Sequence, residues 1–185
     1  MPGKRIYMAL RNILHEGDPT LTKKSRTVTE FNARLHELID DMRETLLQAD
    51  GVGLAAPQVG VLRRVVLVLD TEKEDATPEE QLIELINPEI IAASGEQSGP
   101  EGCLSIPGVY GIVKRPDLVK VRAQDRFGNF FEVWGTMLTA RAFCHEVDHL
   151  EGVLFRSLAS EILSPEQLEE LQMLHEDDRD IGTKA

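Results

Sequence analysis

His145 and His149 stand four positions apart in the run His145-Glu146-Val147-Asp148-His149, within a segment that reads as a helix from about Thr136 to Leu150 and stops at Gly152. Side chains at i and i+4 lie one above the other on a single helical face, so both imidazoles can reach one metal ion. Glu146 is one step round from His145, close enough to handle a proton without being a ligand. A helix carrying such a face belongs at the centre of a fold, where other elements supply what the ion still lacks.

Those elements are of both kinds. Phe31, Leu35, Leu38, Ile39, Met42 and Leu46 form one stripe of a helix from about Thr29, its expected N-cap, to Ala49, with Asp50-Gly51 as the stop. Beyond Gly51 the texture is that of strands: Arg64 to Leu69, Leu82 to Asn87, Glu89 to Ala93 after Pro88, and a hairpin of Leu118–Arg122 and Phe130–Trp134 about the turn Asp125–Asn129. Thr71 to Gln81 is acidic, contains Pro78 and reads as a solvated connector. Ser164-Pro165-Glu166-Gln167 announces another helix, with Leu168, Leu171 and Leu174 as its apolar edge. The fold class is α+β: mostly antiparallel strands around a central metal-binding helix, with an N-terminal and a C-terminal helix. One domain over 1–185 is expected, its end from about 164 to 185 being the C-terminal helix and an acidic tail.

Composition narrows the setting. The chain of 185 residues can bury a proper core, and 32 acidic against 20 basic residues give a net charge of −12 with no basic tract. Direct nucleic-acid binding and binding to anionic membranes are therefore not expected. The longest purely apolar run, Val65–Leu69, is far too short for a membrane span. Two cysteines, Cys103 and Cys144, are too few for a disulfide scaffold, and Met1–Ile6 opens no signal peptide, so a reducing cytoplasm is the expected compartment.

A catalytic site of this type takes three protein ligands and keeps one position open. On the residues alone, three kinds of third ligand compete. The metzincin pattern would put a histidine where Phe155 stands, and fails there. A thermolysin-like pattern would use a downstream glutamate such as Glu169, twenty positions beyond His149 on an acidic helix. Upstream, Cys103 lies in Glu101-Gly102-Cys103-Leu104-Ser105 after a Gly99-Pro100 turn, and its thiolate is a good ligand for zinc or ferrous iron. Cys144, about 100° round the helix from His145, reads as core packing.

Three segments taken together, Gly51-Val52-Gly53-Leu54-Ala55-Ala56-Pro57-Gln58, Glu101-Gly102-Cys103-Leu104-Ser105 and His145-Glu146-Val147-Asp148-His149, closely resemble the signature motifs of bacterial peptide deformylases in order and separation. The resemblance extends from about Ile13 to Phe155, taking in Gly17-Asp18-Pro19 and the run Leu150–Phe155. It implies Cys103, His145 and His149 as metal ligands, with ferrous iron the expected ion and zinc, nickel or cobalt accepted by the same set. It also implies a hydrolase that removes the formyl group of N-formylmethionyl nascent peptides, Glu146 moving the proton of a metal-activated water. The Gln58 amide and the Leu104 backbone N–H would stabilise the oxyanion. Gly51 and Gly53 would let an extended peptide approach, and Glu101 is counted with the substrate-binding residues. Leu138, Arg141 and Ala142 share the face of His145 and, with Val52, would wall a slot for the methionine side chain. Asp148 would pair with a base such as Arg115.

Two departures from the family pattern stand out. Cys144 replaces the glutamine that many members carry before the first histidine. The C-terminal helix, basic and ribosome-docking in the best-known enterobacterial form, is here acidic, with Glu166, Glu169, Glu170, Glu176, Asp177, Asp178 and Asp180. A monomer whose contact with the ribosome is at most transient is the expectation.

Overall fold

The computed structural model describes residues 10–73, 75–171 and 173. In chain order the elements are α1 (Ala33–Gln48), β1 (Gly53–Ala55), β2 (Val65–Leu69), α2 (Pro78–Gln81), β3 (Leu82–Ser94), β4 (Gln97–Cys103), β5 (Ile106–Arg115), β6 (Leu118–Gln124), β7 (Phe130–Thr136), α3 (Met137–Leu150) and β8 (Glu161–Ile162). The strands form two sheets, ordered β1-β2-β3-β6-β7 and β4-β5-β8, with antiparallel pairing throughout.

The apolar run of β2 shows how the layers are built. Val65 and Leu67 face α1, where they meet Leu35, Ile39, Met42 and Leu46, while Val66 and Val68 face Phe143 and Leu150 of α3. Both faces of the strand are thus buried, which is why it lacks the polar alternation of a one-sided sheet. Each fully buried aliphatic side chain contributes roughly 1.5–3 kcal/mol. The opposite side of α3 turns toward the second sheet, where Ile106 and Val113 pack with Phe155. The histidine-bearing helix therefore lies between two layers.

Several local expectations shift. α1 opens at Ala33 rather than near Thr29, because the Asn32 side chain accepts from the backbone N–H groups of Arg34 and Leu35 at 3.1 and 3.2 Å and so becomes the cap. The two strands expected on either side of Pro88 are one, β3, with a bulge between Ile86 and Glu89. Asn87, at φ 52°, turns the chain there, and its amide binds both backbone groups of Val28 at 2.8 and 2.9 Å. A proline in a bulge removes no ladder hydrogen bond, so Pro88 is tolerated. Gly99 and Pro100 make no turn; they pair with Val113 and Ile112 inside β4.

The acidic connector is also more than solvated chain. Thr136 offers no side-chain cap to α3, and Glu72 takes its place, accepting from Thr136 N and Oγ1 at 2.7 Å each. Thr71 N adds a bond to Thr139 Oγ1 at 3.1 Å. Near the other end of the chain, Ser164 and Gln167 form the expected capping box before a helix opening at Pro165. Leu174, Glu176, Asp177, Asp178 and Asp180 lie outside the described residues. Among the described residues no helix is long and apolar enough to cross a membrane.

Candidate active site

α3 carries His145 and His149 one turn apart, and β4 ends on Cys103 directly opposite. The pairing register shifts between Gly102 and Cys103, which takes the thiol out of regular strand geometry at the mouth of the β4–β5 connection. Cys103 Sγ is 3.3 Å from His149 Nε2, which in turn is 3.2 Å from His145 Nε2. The ligand atoms of all three residues lie within 4.8 Å of one another. One thiol and two imidazole nitrogens converging in this way fit a single divalent ion of intermediate softness. Glu169 is exposed on the C-terminal helix and takes no part. Phe155, where a metzincin would carry its third histidine, instead stacks on the His145 ring, centroids 6.0 Å apart and planes 29° off parallel.

The orientation of His145 is set by a buried carboxylate. Its Nδ1 lies 3.0 Å from Glu101 Oε2 and donates to it, which turns Nε2 toward His149 Nε2. Glu101 is itself clamped by Arg115, at 2.7 and 3.0 Å, and by Arg141 Nη1 at 3.0 Å. Burial pushes this carboxyl upward, but the hydrogen bonds from His145 and Arg115 outweigh it and hold it at about 2. With both oxygens occupied, Glu101 anchors His145, and it lines the cavity as well. Arg115 Nη1 continues to Asp148 Oδ2 at 2.7 Å, the pairing expected from the sequence.

Glu146 is buried, and its Oε2 has no hydrogen-bond partner among the described residues. Burial drives its carboxyl up to about 7, against the pull of His145. A carboxylate in this state exchanges a proton readily near neutral pH. Gln58 sits on a short 3-10 turn, Ala56–Val59. Its Oε1 accepts from Ala55 N at 2.8 Å, which turns the NH₂ toward Ser105 Oγ at 3.2 Å and Cys103 Sγ at 3.5 Å. Cys144 is buried in the layer between α3 and the large sheet, and burial raises its thiol to about 11.

A cavity of about 480 Å³ opens over these groups. Gly51, Val52 and Gly53 line one wall, and Leu138, Arg141 and Ala142 line another, with Leu104 and Pro107–Tyr110 at the rim. Cys103, His145, Glu146 and Gln58 reach it, whereas His149 lies behind them at 1% exposure. Arg141 turns its guanidinium away to Glu101 and to Val113 O at 2.9 Å, so its stem is what remains for the slot. Ser105 and the clamping roles of Arg115 and Arg141 on Glu101 escaped sequence reading. For Ser105 the available signal was a polar residue placed directly inside a cysteine motif.

The chain is similar to known proteins along most of its length. Residues 10–163 match the family model described as polypeptide deformylase. The peptide deformylase of Caldanaerobacter subterraneus subsp. tengcongensis is 56% identical over 162 residues, which cover 88% of this chain and 97% of that protein. Among solved structures, a peptide deformylase from Legionella pneumophila superposes with a TM-score of 0.75 at 37% identity, covering 96% of this chain and 99% of that one. A class I type b enzyme from Acinetobacter baumannii, solved with Met-Ala-Ser bound, gives 0.74 at 34% identity, over 82% and 99% of the two chains. Sequence match, shared fold and a cysteine–histidine–histidine cluster beneath a cavity agree: the chain belongs to the polypeptide deformylase family, metallohydrolases that remove the N-formyl group from newly made polypeptides.

Proposed function

We propose that in this chain Cys103, His145 and His149 hold the divalent ion and that Glu146, Gln58 and the Leu104 backbone carry the deformylation of N-formylmethionyl peptides. The observation carrying this reading is the buried, unpartnered Oε2 of Glu146 beside the cysteine–histidine–histidine cluster on the cavity wall. When bound, the ion supplies Lewis acidity and brings the pKa of water toward neutrality. Glu146 accepts the proton released on attack at the formyl carbon and hands it to the departing amine, a role suited to a carboxyl near 7. The Gln58 NH₂ and the Leu104 N–H offer two uncharged donors to the oxygen that gains charge. The family resemblance points to ferrous iron as the native ion, and the same thiolate–imidazole set accepts zinc, nickel and cobalt.

The peptide lies along Gly51–Gly53, where β1 is an edge strand with one side free to pair, and its methionine enters between Val52, Leu138, Arg141 and Ala142. The Met-Ala-Ser complex of the Acinetobacter baumannii relative supports this choice of ligand. The enzyme works as a single-domain monomer in the cytoplasm. The test is formate release from a short formyl-methionyl peptide by protein loaded anaerobically with ferrous iron. Glu146→Gln should lower kcat by roughly 10²–10⁴-fold while binding the ion as before. A variant that turns over at the parental rate removes Glu146 from the reaction.

A further inference from the structure

In a chain with excess acid, nearly every described cation has found a carboxylate. Four described lysines and arginines close no ion pair among the described residues: Lys23, Arg26, Arg34 and Arg63. Three of those four lie together. Arg26 and Arg63 are partners in an isolated parallel bridge, closed by Arg26 N to Leu62 O at 3.1 Å and Arg64 N to Arg26 O at 2.9 Å, so their side chains emerge side by side. Lys23 precedes Arg26 on the same segment, which is fixed to the end of α3 by Ser25 N to Leu150 O at 2.8 Å. Gly152 stays bare to permit this approach: a Cβ there would fall 2.6 Å from the Thr22 carbonyl carbon. Lys24 and Arg64 complete the cluster and share a single acid, Glu151. Besides Glu151, Asp18 faces Lys23, and Glu89, next to the Pro88 carbonyl that Arg64 binds, is already paired with Arg122. The five cations thus outnumber the acids that face them.

We propose that Lys23, Lys24, Arg26, Arg63 and Arg64 form a docking surface for the phosphate backbone of RNA. Arg26 and Arg63 keep their planar forks free for phosphate oxygens, which such forks match in pairs, while Arg64 spends its own on Glu151 and Pro88 O at the edge of the cluster. Neither segment, 22–27 nor 60–64, exposes a large apolar side chain of the kind that inserts into a bilayer. The substrate of this family is the newly made polypeptide, which leaves an RNA-rich machine. None of the five residues lines the cavity, so an anchored enzyme keeps its cleft free. The expectation from net charge, that this chain avoids nucleic acid, averages over the whole surface and overlooks a local excess built from two segments 37 positions apart.

The experiment is fluorescence anisotropy of the full-length metal-loaded protein with a labelled RNA hairpin, repeated with phosphatidylserine vesicles as a competing probe. Binding at 50 mM salt should weaken on the order of 40-fold by 200 mM, as about three phosphate contacts require. Arg63→Glu should cost about tenfold or more in RNA affinity, while Arg34→Glu, an equal charge change at an isolated cation, should leave it within about twofold. Both variants should release formate from a short formylated peptide at the parental rate and keep the parental Tm. Absence of RNA binding at 50 mM salt, equal losses in the two variants, or binding to vesicles alone would each overturn the proposal.

Discussion

Glu146 lies against the bare backbone of Gly53: a Cβ built on that glycine would stand 2.5 Å from Oε1 and 2.8 Å from Cγ of the glutamate. The glycine is therefore required by the chain's own carboxylate. Gly53→Ala must push Glu146 out of place without touching the three ion ligands. We expect roughly a 10²-fold fall in kcat, within the range that general acid–base catalysis contributes, with the ion content unchanged by elemental analysis. Unaltered kcat would mean that the carboxylate adapts.

The Glu101–His145 bond predicts an effect on the ion rather than on the peptide. Glu101→Gln keeps the shape but weakens acceptance from Nδ1 and leaves Arg115 and Arg141 short of a charge. Loss of such a supporting partner typically costs 10–100-fold in metal affinity. Release of the ion to a chelator should accelerate by about that factor, whereas KM for the formylated peptide stays near the parental value.

Away from the cleft, Glu84 joins β3 to α1 and to the β6–β7 turn through Arg43 and Arg126, each with a bond of 2.9 Å. Burial would raise this carboxyl, yet the two guanidinium groups hold it below its ordinary 4.5. The folded state therefore binds this proton more weakly than the unfolded chain does. Its stabilising contribution is complete above about pH 4.5 and drains away as the pH falls through the depressed value. The Tm gap between parent and Glu84→Gln should be constant near neutrality and close on acidification. A gap independent of pH would assign the effect to packing.

The two thiols should behave oppositely toward an alkylating reagent. Cys144 is held neutral by burial, its thiol raised to about 11, while Cys103 is half-buried on the cavity wall. After chelation, iodoacetamide at pH 8 should label Cys103 and spare Cys144 on mapping by mass spectrometry. Restoring the ion should protect Cys103 as well. Rapid labelling of Cys144 in the folded protein would contradict its place in the core.

What could be read from the sequence was what depends on neighbours along the chain. Histidines at i and i+4 fix their own relationship, and the stripe from Leu35 to Leu46 fixes a buried face. The resemblance then added Gln58 and chose Cys103 among the competing third ligands, and both line the cavity beside His145. What could not be read depends on pairing across distance. Nothing local to Asn87 announces that its amide will hold Val28. Thr29 and Asn32 are both good caps, and only the final approach of the chain chose between them. The acidic residues around Glu72 resemble solvated connector until α3 presents an uncapped end to them. The anchoring of Glu101 was hidden too, because the three groups that saturate it, Arg115, Arg141 and His145, come from β5 and α3.

The separation between Cys103 and His149, 46 positions along the chain, has a consequence for how the enzyme comes into being. Synthesis runs from the N-terminus, so the thiol is made before either imidazole exists. Gln58 and the strap whose Leu14 and Glu16 N–H groups bond Gln58 O and Ser105 O are older still, and wait for β4 to be made. The centre therefore cannot be assembled piecemeal; it closes only when α3 docks, among the last of the described elements to be translated. During that interval Cys103 stands without either of the imidazoles that converge on it in the finished fold.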